Sequence, residues 1–431
     1  MPEKLPILTD EFKDALALLE SKPAIRPLIF ITGRAGTGKT TLLKYFAQHT
    51  AQNIVVLATT GLAAINVHGQ TVHSFFRLKP GNLLDFSILR RLPRKTVESF
   101  DTLVIDEASM LRADLLDALD HILQISTRSS DPFGGKQVIL FGDLFQLPPV
   151  EENEHSGLFN YFNERYASPY FFEAHVLKRL PLEVFELKRI FRQSADRDYA
   201  ALLNQIREGR VGQPQLDAQL NTHVSAETPD VVENSILLAT TNYAAAQRNR
   251  SQLAKLPGQE FIYTATADET FTKTPPADRE LHLKKGAKIM MLVNDDNWVN
   301  GDIGTVYDLG KDFIQVEIKG AVYDVQPHVW DEVFYEFNPL TQKLAPKVKG
   351  FFKQYPLKLA WAITVHKSQG LTFDNIYLDM GRGAFATGQT YVALSRCRTL
   401  AGVHLKRPIL TSDVQCDSRV RQFFESVKGV R

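Results

Sequence analysis

GRAGTGKT, residues 33–40, decides the fold: it follows the apolar run LIFIT (28–32) and precedes the helical pattern TLLKYFAQH (41–49). It matches G-x-x-x-x-G-K-[S/T] in the order strand, loop, helix. Glycines let backbone N–H groups close around phosphate oxygens, and the helix N-terminus adds partial positive charge. The segment therefore predicts a site for a nucleoside triphosphate. A glycine-rich turn with no ligand is the alternative.

The loop residues have individual predicted contacts. We expect the Lys39 ammonium to reach the β- and γ-phosphates, and the Thr40 hydroxyl to bind Mg²⁺. The loop residues predicted to bind ATP are Gly33, Ala35, Gly36, Thr37, Gly38, Lys39, Thr40 and Thr41.

Two further apolar runs end in polar residues that suit the same site. LVIDEASM (103–110) ends in carboxylates, so that Asp106 can hold Mg²⁺ through water and Glu107 can polarise an attacking water. FGDLFQLPPV (141–150) delivers Asp143 and Gln146, whose amide can contact the γ-phosphate. Taken alone, the first segment is better explained as a solvated strand end, and the second fits a stiff turn equally well. Together with the loop they predict an ATPase.

The rest of the chain predicts the fold class. Similar apolar runs occur at 54–58, 102–105, 137–141 and 236–239. Such runs suit strands buried on both faces of a parallel sheet, and the helical patterns at 112–125 and 199–207 between them predict an α/β fold. From about 258 to 354 the sequence alternates and is rich in turns, which predicts an all-β insertion. We therefore expect two α/β units, the second interrupted by a β module.

Composition limits the class of protein. Fifty Lys+Arg against 49 Asp+Glu in 431 residues give a formal charge of +1, which excludes binding to nucleic acid by bulk charge alone but allows a local basic track. Cys397 and Cys416 are the two cysteines, too few for a disulfide framework or a thiolate zinc cluster. No apolar run approaches ~20 residues, and no secretory signal pattern is visible. We expect an intracellular protein without membrane contact, cytoplasmic in a bacterium and nuclear or mitochondrial in a eukaryote.

A concentrated basic stretch lies at 343–373. It contains six lysines (343, 347, 349, 353, 358 and 367) and no acidic residue, with Phe351, Phe352, Tyr355 and Trp361 between them. Phosphate contacts combined with aromatic faces are typical of single-strand binding. The stretch predicts a nucleic-acid track, and a solvated basic face on the β module is the alternative.

Seven segments in order resemble the motor motifs of superfamily 1B DNA helicases. They are GRAGTGKT, TTGLAAINVHGQTVHSFF (59–76), DEASM, PFGGKQVILFGDLFQLPPV, LKRIFRQ (187–193), AITVHKSQGLTFD (362–374) and YVALSRCR (391–398). The part with the PFGG turn is similar in particular to the petite-integration-frequency (PIF) helicases. The resemblance covers nearly the whole chain.

The resemblance implies two RecA-like P-loop domains in tandem with ATP in the cleft between them. Domain 1A would span 1–183 and carry a small wedge insertion, 1B, at about 66–80. Domain 2A would span 184–257 and 357–431, and the larger, β-rich insertion 2B would span 258–356.

The resemblance also implies residue roles. The catalytic residues would be Lys39, Glu107, Gln146, Arg192 and Arg396. Both arginines would come from the second domain, and Gln369 and Gly370 would lie nearest the nucleotide. The residues implied to contact DNA are Thr60, Gly61, His68, Thr71, His73, Phe76, Lys353, Thr364, His366, Lys367 and Ser368. His68 and His73 could instead be ordinary core or surface histidines.

The implied activity is that of an ATP-dependent 5′-to-3′ DNA helicase. It would translocate on single-stranded DNA by cleft closure coupled to ATP hydrolysis, and would unwind duplexes, G-quadruplexes or RNA–DNA hybrids. The implied partners are single-stranded DNA and single-strand/duplex junctions, with a mostly monomeric protein that can dimerise on DNA. The implied cellular roles are DNA replication, repair, recombination and telomere maintenance.

The N-terminal helix departs from the family pattern. PIF-type sequences carry a glutamine there to recognise adenine, whereas LTDEFKDAL places Phe12 at that position. We therefore expect that other nucleoside triphosphates could be accepted.

Two other classes of protein remain as alternatives. A P-loop switch or kinase would not be stimulated by single-stranded DNA, and the guanine-recognising NKxD pattern is absent. A non-catalytic binding module would have lost nucleotide-handling residues, which are intact here.

Overall fold

The computed structural model describes residues 9–21, 23, 26–67, 69–78, 83, 85–149, 162–271, 275–338 and 343–427. Contacts within the chain divide it into two compact units. The P-loop unit, named for residues 33–40, comprises Pro2–Phe191, Val333–Lys347 and Asp417–Arg431. The second unit comprises Arg192–Glu332 and Val348–Cys416.

Helices are interspersed with strands up to residue 255, and from 261 to 379 strands follow one another. The described helices are α1 (Asp10–Glu20), α2 (Lys39–His49), α3 (Gly61–Asn66), α4 (Val72–Phe75), α5 (Arg94–Glu98), α6 (Ala113–Thr127), α7 (Arg197–Arg207), α8 (Gln213–Gln215), α9 (Pro229–Asn234), α10 (Asn242–Lys255), α11 (Gln389–Leu394) and α12 (Ser418–Ser426). The described strands are β1 (Leu28–Gly33), β2 (Ile54–Ala58), β3 (Gln70–Thr71), β4 (Thr102–Asp106), β5 (Gln137–Phe141), β6 (Leu182–Leu187), β7 (Ile236–Ala239), β8 (Phe261–Thr264), β9 (Thr266–Ala267), β10 (Glu280–Leu283), β11 (Lys288–Met291), β12 (Ile303–Leu309), β13 (Ile314–Ile318), β14 (Ala321–Val325), β15 (His328–Asn338), β16 (Lys343–Gln354), β17 (Leu357–Leu359), β18 (Ala362–Thr364), β19 (Ile376–Asp379) and β20 (Val403–Leu405).

The P-loop unit is built on a parallel sheet of strand order β3-β2-β4-β5-β1-β6. Every residue of β1, β4 and β5 is buried. This burial explains the unbroken apolar runs, since a strand covered on both faces needs no polar alternation. Phe12 of α1 and Leu42 of α2 pack with Ile29 of β1 in one core cluster. The predicted strands are confirmed here.

The boundary between the units lies after strand β6. β6 pairs with β1 along its whole length, from Leu182 opposite Leu28 to Leu187 opposite Gly33. Residues 184–191 therefore lie with the P-loop unit, whereas the sequence placed 184 at the start of domain 2A. A boundary at 183/184 would divide one hydrogen-bonded strand.

The predicted wedge at 66–80 is in part a piece of the main sheet. Its described residues include β3, which pairs with β2, and the short helix α4. Tyr335 belongs to the same unit: its ring packs edge-on against Phe75 at 5.9 Å, and its N–H donates to Gln70 Oε1 at 3.4 Å.

The second unit combines a parallel sheet with a β module. The parallel sheet has the order β18-β7-β19-β20. The module contains an antiparallel sheet of order β14-β13-β12-β11-β17, whose core includes Met291, Val316 and Leu357. This confirms the predicted all-β insertion within the second α/β unit.

The last helix, α12, packs in the P-loop unit. Phe424 stacks on Phe145 with ring centroids 5.4 Å apart, and Phe423 stacks on Phe172 at 4.5 Å. The sequence assigned 357–431 to the second domain. These aromatic contacts place Asp417–Arg431 with the P-loop unit instead.

In the part of the chain that the structure describes, none of the helices has the length and apolar character needed to cross a bilayer.

Candidate nucleotide and nucleic-acid sites

Three polar segments follow adjacent strands of the P-loop unit. The phosphate loop follows β1, Asp106 ends β4, and Gly142–Gln146 follow β5, and these strands are neighbours in the order β4-β5-β1. Because parallel strands end at the same edge of a sheet, the three segments meet there. Crevices outside such carboxyl ends are the usual ligand sites of open α/β sheets.

The phosphate loop has the backbone conformation that its glycines permit. Gly33 has φ +151°, and a Cβ added there would lie 2.6 Å from Leu187 O, so no other residue fits without movement. Thr37 Oγ1 donates to Arg34 O at 2.9 Å and closes the turn. Lys39 Nζ donates to Gly33 O at 2.7 Å and to Arg34 O at 3.0 Å, which holds the ammonium within the loop.

The remaining loop residues fall into two groups. Ala35 and Thr37 are buried, whereas the side chains of Thr40 and Thr41 are exposed on the first turn of α2. The exposed Thr40 hydroxyl is therefore accessible to a ligand at the helix N-terminus.

Helix α1 supports the loop from outside. The Glu11 carboxylate accepts the Lys188 N–H at 2.6 Å and the Arg189 N–H at 3.3 Å. The next segment closes on the loop, where Phe191 N–H donates to Gly36 O at 2.9 Å. The end of β6 and the phosphate loop are thus joined by backbone hydrogen bonds.

Phe12 lies in the core beneath this loop. It is 2% exposed, and its ring meets Phe191 edge-on with centroids 6.4 Å apart. A Cβ added to Gly38 would lie 3.0 Å from Phe12 Cζ. At position 12 this chain therefore has a packing residue with no polar atom for a base.

Replacing Phe12 with alanine is expected to lower the free energy of unfolding by about 3–5 kcal/mol, because a fully buried ring is removed next to the phosphate loop. Urea unfolding followed by circular dichroism measures the effect. Phe12→Leu, which keeps most of the apolar volume, should lose much less. An unchanged unfolding midpoint for Phe12→Ala would contradict the core placement.

The two carboxylates at the end of β4 differ in environment. Asp106 is buried; this burial, followed by the charge of Glu107, raises the pKa of Asp106 to about 7. Lys39 and Lys44 act in the opposite direction. Glu107 has φ 53° and ψ 47°, a left-handed conformation that is uncommon for a non-glycine residue and is concentrated at functional sites.

The left-handed conformation of Glu107 is held by its neighbours. Thr59 Oγ1 donates to Glu107 O at 2.9 Å, and Glu107 N–H donates to Asp106 Oδ1 at 2.9 Å. A Cβ on Gly142 would lie 2.9 Å from Ala108 N, so the ends of β4 and β5 approach closely. This packing fixes where the Glu107 side chain begins.

The amide of Gln146 is positioned by Asp143. Asp143 is fully buried, its Oδ2 accepts Gln146 Nε2 at 3.3 Å, and its Oδ1 accepts Phe145 N–H at 3.2 Å. Phe145 in turn stacks on Phe424 of α12. The segment predicted to contact the γ-phosphate is thus fixed by hydrogen bonds on one side and an aromatic stack on the other.

The donors at this edge suit Mg²⁺. Asp106 and Thr40 offer hard oxygen ligands, and Mg²⁺ usually takes only one or two protein ligands, with water and phosphate oxygens completing the octahedron. Accordingly, no group of three or more histidine, cysteine, aspartate or glutamate side chains suited to a metal occurs among the described residues. A buried carboxylate with a raised pKa is also one that a cation would stabilise as the anion.

The second unit brings Arg192 and Arg396 together. Arg192 Nη1 donates to Ser395 O at 3.1 Å and its Nη2 to Gly370 O at 3.5 Å. Burial, followed by the charge of Arg396, lowers the pKa of Arg192 to about 9. The two predicted arginines and Gly370 are therefore neighbours.

Arg396 is enclosed within this unit. It is 1% exposed, its Nε donates to Val392 O at 2.9 Å, and its Nη2 donates to Ser395 Oγ at 2.7 Å. Its Nη1 donates to Leu371 O at 3.4 Å, in the turn that follows Gln369 and Gly370. The sequence identified the residue but gave no indication that its charge is fully buried.

The predicted DNA residues of the P-loop unit follow β2 and β3. Gly61 has open space around its Cα, and Thr60 and Thr71 accept backbone N–H groups at the starts of α3 and α4. Burial lowers the pKa of His73. His68 lies outside the described residues.

Phe76 does not fit the predicted role. It is 2% exposed and packs edge-on against Phe75 with ring centroids 5.0 Å apart, so its faces are not available to a base. It is a core residue at the end of α4.

The predicted DNA residues of the second unit are only partly exposed. His366, Lys367 and Lys353 are exposed, whereas Thr364 and Ser368 are buried. Ser368 Oγ donates to Val365 O at 2.7 Å, so its hydroxyl is hydrogen-bonded within the turn. A contact between Ser368 and DNA stays a prediction.

The basic stretch is also less aromatic at its surface than its sequence indicates. Phe352, Tyr355 and Trp361 are buried in the second unit, so they cannot stack on bases. Burial lowers the pKa of Lys358 to about 8. Alternation along β16 places Phe352 on the face opposite Lys349 and Lys353, whereas Phe351 shares the lysine face and is half-buried.

Phe385 is an exposed aromatic that the sequence reasoning missed. It is 62% exposed, and its ring lies nearly parallel to His366, with centroids 6.1 Å apart and planes 11° apart. Its N–H donates to Gln389 Oε1 at 3.1 Å, and the neighbouring Ala384 N–H donates to Asp413 Oδ1 at 3.2 Å. A single phenylalanine between glycines carries no sequence signal for this placement.

The chain is similar in sequence to known helicases. The family model of PIF1-like helicases matches residues 8–217. The chain is 32% identical to ATP-dependent DNA helicase Pif1 of Bdellovibrio bacteriovorus, over 98% of this chain and 93% of that protein. It is 32% identical to ATP-dependent DNA helicase PIF1 of Mus musculus over 100% of this chain. The chain spans 64% of the length of the mouse protein.

Solved structures of Pif1 from Bacteroides sp share the fold at 34% identity. The unliganded structure matches with a TM-score of 0.88 over 99% of this chain and 98% of that one. The complex with ADP-AlF4 matches at 0.87 over 98% and 97%. The complex with single-stranded DNA matches at 0.70 over 97% and 96%.

These matches confirm the predicted fold class, an α/β fold of two RecA-like domains in tandem with an all-β module in the second. The Bdellovibrio relative is covered almost from end to end at an identity above 30%. The chain therefore belongs to the PIF1-like helicase family.

Proposed function

We propose that the protein is a DNA-stimulated ATPase that moves 5′ to 3′ along single-stranded DNA and separates duplexes. The observation that carries the proposal is the meeting of the phosphate loop, Glu107 and Gln146 at one edge of the P-loop sheet, in a chain of this family. The names of the Bdellovibrio and mouse relatives, ATP-dependent DNA helicases, agree with it.

The proposed domain roles follow the sequence boundaries. The first α/β domain (1–183, domain 1A) would bind the triphosphate and carry the wedge 1B. Residues 184–257 and 357–431 would form domain 2A, and 258–356 would form insertion 2B. Within this scheme, 184–191 and 417–431 would move with the P-loop unit, with which they make their contacts.

Hydrolysis would use residues of this chain in distinct roles. The Lys39 ammonium, held by two loop carbonyls, would transfer its hydrogen bonds to the β- and γ-phosphate oxygens. Glu107 would orient and polarise the attacking water, and Gln146 would contact the γ-phosphate. Mg²⁺ at Asp106 and Thr40 would neutralise charge on the phosphates.

The arginines would complete the reaction from the second domain. A guanidinium adds positive charge to the leaving phosphates only when it is delivered to them, so Arg192 and Arg396 would link turnover to domain closure. Their present hydrogen bonds are to carbonyls of 368–371 and 392–395. Gln369 and Gly370 would therefore respond when either guanidinium is drawn to a nucleotide.

Single-stranded DNA would contact both units. Thr60 and Gly61 would present backbone amides to phosphates, and Lys353 and Lys367 would add charge. His366 and Phe385 would provide a stacking surface. The DNA-contacting side chains would be positioned by residues next to them, namely Thr71, His73 and Thr364.

Replacing Phe385 with alanine is expected to weaken binding of a short oligo(dT) by about 5- to 100-fold, since one base stack is worth about 1–3 kcal/mol. Fluorescence anisotropy measures the dissociation constant. Phe385→Trp should retain binding, and Phe313→Ala, which removes another exposed ring of the same unit, should have no effect. Equal dissociation constants for Phe385→Ala and wild type would show that Phe385 does not contact the bound DNA.

The test of the function is the ATPase rate with and without single-stranded DNA. The proposal expects stimulation by DNA, and unwinding of a duplex with a 5′ tail in preference to one with a 3′ tail. A P-loop switch or kinase would show no stimulation, and a non-catalytic module would show no turnover. Hydrolysis rates measured with GTP and CTP as well as ATP test whether the protein, with Phe12 beneath the loop, selects among the bases of nucleoside triphosphates.

The same assays extend to substrates and assembly. We propose single-strand/duplex junctions as the working partners, with G-quadruplexes and RNA–DNA hybrids as further substrates to be compared. We propose a mostly monomeric protein that dimerises on DNA, checked by light scattering with and without a fork. Roles in DNA replication, repair, recombination and telomere maintenance would follow from whichever substrate is unwound fastest.

A further inference from the structure

A basic cavity of about 600 Å³ lies in the P-loop unit, away from the nucleotide site. Its charged lining consists of Arg77, Arg91, Arg94, Arg128, Lys136 and Glu98. Five cations against one carboxylate form a strong local excess in a chain whose formal charge is only +1.

The single carboxylate does not neutralise this excess. Glu98 pairs with Arg94, whose Nε lies 2.7 Å from Glu98 Oε1, and both side chains are largely exposed. In the described ranges, no carboxylate lies within ion-pair distance of Arg77, Arg91 or Arg128. These three arginines therefore remain to attract an anion, and Lys136 adds a fourth cation whose charge Asp101 and Glu98 offset in part.

Lys136 carries one of these charges into the protein. It is half-buried, and burial lowers its pKa. Its Nζ donates to Phe100 O at 2.6 Å and lies 5.1 Å from the centre of the Phe100 ring. An ammonium has three donors, so it can also serve a ligand.

The walls of the cavity are fixed by the backbone. Leu92 N–H donates to Ser126 Oγ at 2.8 Å and joins the segment before α5 to the end of α6. Arg128 has φ 60° and Arg77 has φ 55°, in the left-handed region usually left to glycine. Arginine at both places supplies charge where a glycine would suffice for the turn.

The C-terminus of α6 alone does not explain so many cations. A helix end carries about half a negative charge, and one arginine at Arg128 is enough to complement it. Three arginines without a carboxylate partner among the described residues, together with Lys136, exceed that requirement. Guanidinium groups in such a cluster suit phosphate oxygens, which they bind in a bidentate way.

The cavity is separate from the ATP site. Phe100 and Lys136 precede β4 and β5, whereas Asp106 and Gly142 stand at or just after the other ends of these strands. Strands of this length place the two edges about 16 Å apart. A phosphate in the cavity therefore cannot be the nucleotide bound by the loop.

We propose that this cavity binds phosphate groups of the DNA backbone at a fork, outside the track that holds the translocating strand. Arg77 lies in the segment 66–80 predicted as the wedge, so a strand leaving the wedge would pass this site. The inference rests on the proposed function and deepens it by adding a second DNA contact to the P-loop unit.

The test compares two charge-matched double variants of the full chain. Arg91→Gln with Arg128→Gln removes two cavity charges, whereas Arg90→Gln with Lys178→Gln removes two exposed charges that do not line it. Anisotropy titrations use a fork with two single-stranded arms and an oligo(dT) of about ten nucleotides, at several salt concentrations.

The cavity variant is expected to bind the fork about 3- to 10-fold more weakly, with a salt slope smaller by about 2. Its affinity for the short oligo(dT) and its DNA-stimulated ATPase should equal those of wild type, and the control variant should match wild type throughout. Unchanged fork affinity, or an equal loss in the control, would overturn the proposal.

A free anion is the other source of phosphate. If inorganic phosphate raises the melting temperature of wild type but not of the cavity variant, while fork affinity stays equal, the cavity serves a small anion and the proposal is wrong. Failure of the proposed function is distinguishable, because wild type would then show no ATPase stimulation by oligo(dT).

Discussion

Replacing Lys39 with alanine is expected to reduce ATP turnover by roughly 100- to 1,000-fold, the usual effect of removing one donor to a developing negative charge. In the structure, Lys39 Nζ is held by Gly33 O and Arg34 O at 2.7 and 3.0 Å, so its position is set by the loop before any ligand arrives. Among the described residues no other lysine donates to these carbonyls, so the lost charge would not be replaced. Steady-state phosphate release at saturating oligo(dT) measures the effect.

The control for this variant is an exposed lysine of the same unit that lies outside the loop. Lys13 pairs with Asp10 on the exposed face of α1, and Lys13→Ala should leave turnover unchanged. Thermal unfolding of both variants should match wild type, since Lys39 is not part of the apolar core. Turnover of Lys39→Ala within a fewfold of wild type would rule out the assigned phosphate site.

Glu107→Gln is expected to keep ATP binding while losing about 100- to 10,000-fold in turnover, since the amide cannot act as a base toward water. The substitution keeps the shape of the side chain, and the backbone of residue 107 remains held by Thr59 Oγ1. It also removes the neighbouring charge that raises the pKa of Asp106, so Asp106 should be ionised over a wider pH range. Nucleotide affinity should therefore be retained or increased.

The measurement separates binding from chemistry. Equilibrium binding of a fluorescent ATP analogue reports affinity, and single-turnover hydrolysis reports the chemical step. Glu164→Gln, a change of the same kind at an exposed site of the P-loop unit, should behave as wild type in both. Loss of affinity by Glu107→Gln with normal hydrolysis of the bound nucleotide would assign Glu107 to binding instead.

Local patterns predicted the framework because local physics determines it. Continuous apolar runs became the buried strands β1, β2, β4, β5 and β7, and the phosphate loop follows β1 as its spacing required. Parallel strand order then explains why Asp106 and Gln146 lie at one edge. These features depend on neighbours in sequence or on one sheet.

Whether an individual side chain is buried or exposed was harder to predict. Phe76 and Ser368 matched motif positions but are buried, and Phe352 lies in the core although it stands beside lysines. Each of these placements depends on register and on distant packing partners. Phe385 shows the converse, since its exposure depends on hydrogen bonds to Gln389 and, through Ala384, to Asp413, which no short pattern encodes.

The contacts that define the two compact units are also non-local. No short sequence pattern indicates that β6 pairs with β1, or that α12 stacks on Phe145 and Phe172. Both contacts join segments far apart in the chain. Only the contacts in the folded structure show which unit such segments pack in.

Helix α12 follows the whole second unit in the chain, yet it covers rings that leave the ribosome much earlier. Phe145 and Phe172 precede Phe423 and Phe424 by the whole second unit, which at ordinary translation rates is a delay of roughly 10 to 50 s. During that interval the nascent P-loop unit presents an uncovered aromatic face beside its nucleotide-contacting segment. Nascent chains that still lack α12 would therefore be the form most prone to aggregate or to engage chaperones, and addition of α12 would complete the packing around Phe145 and Phe172.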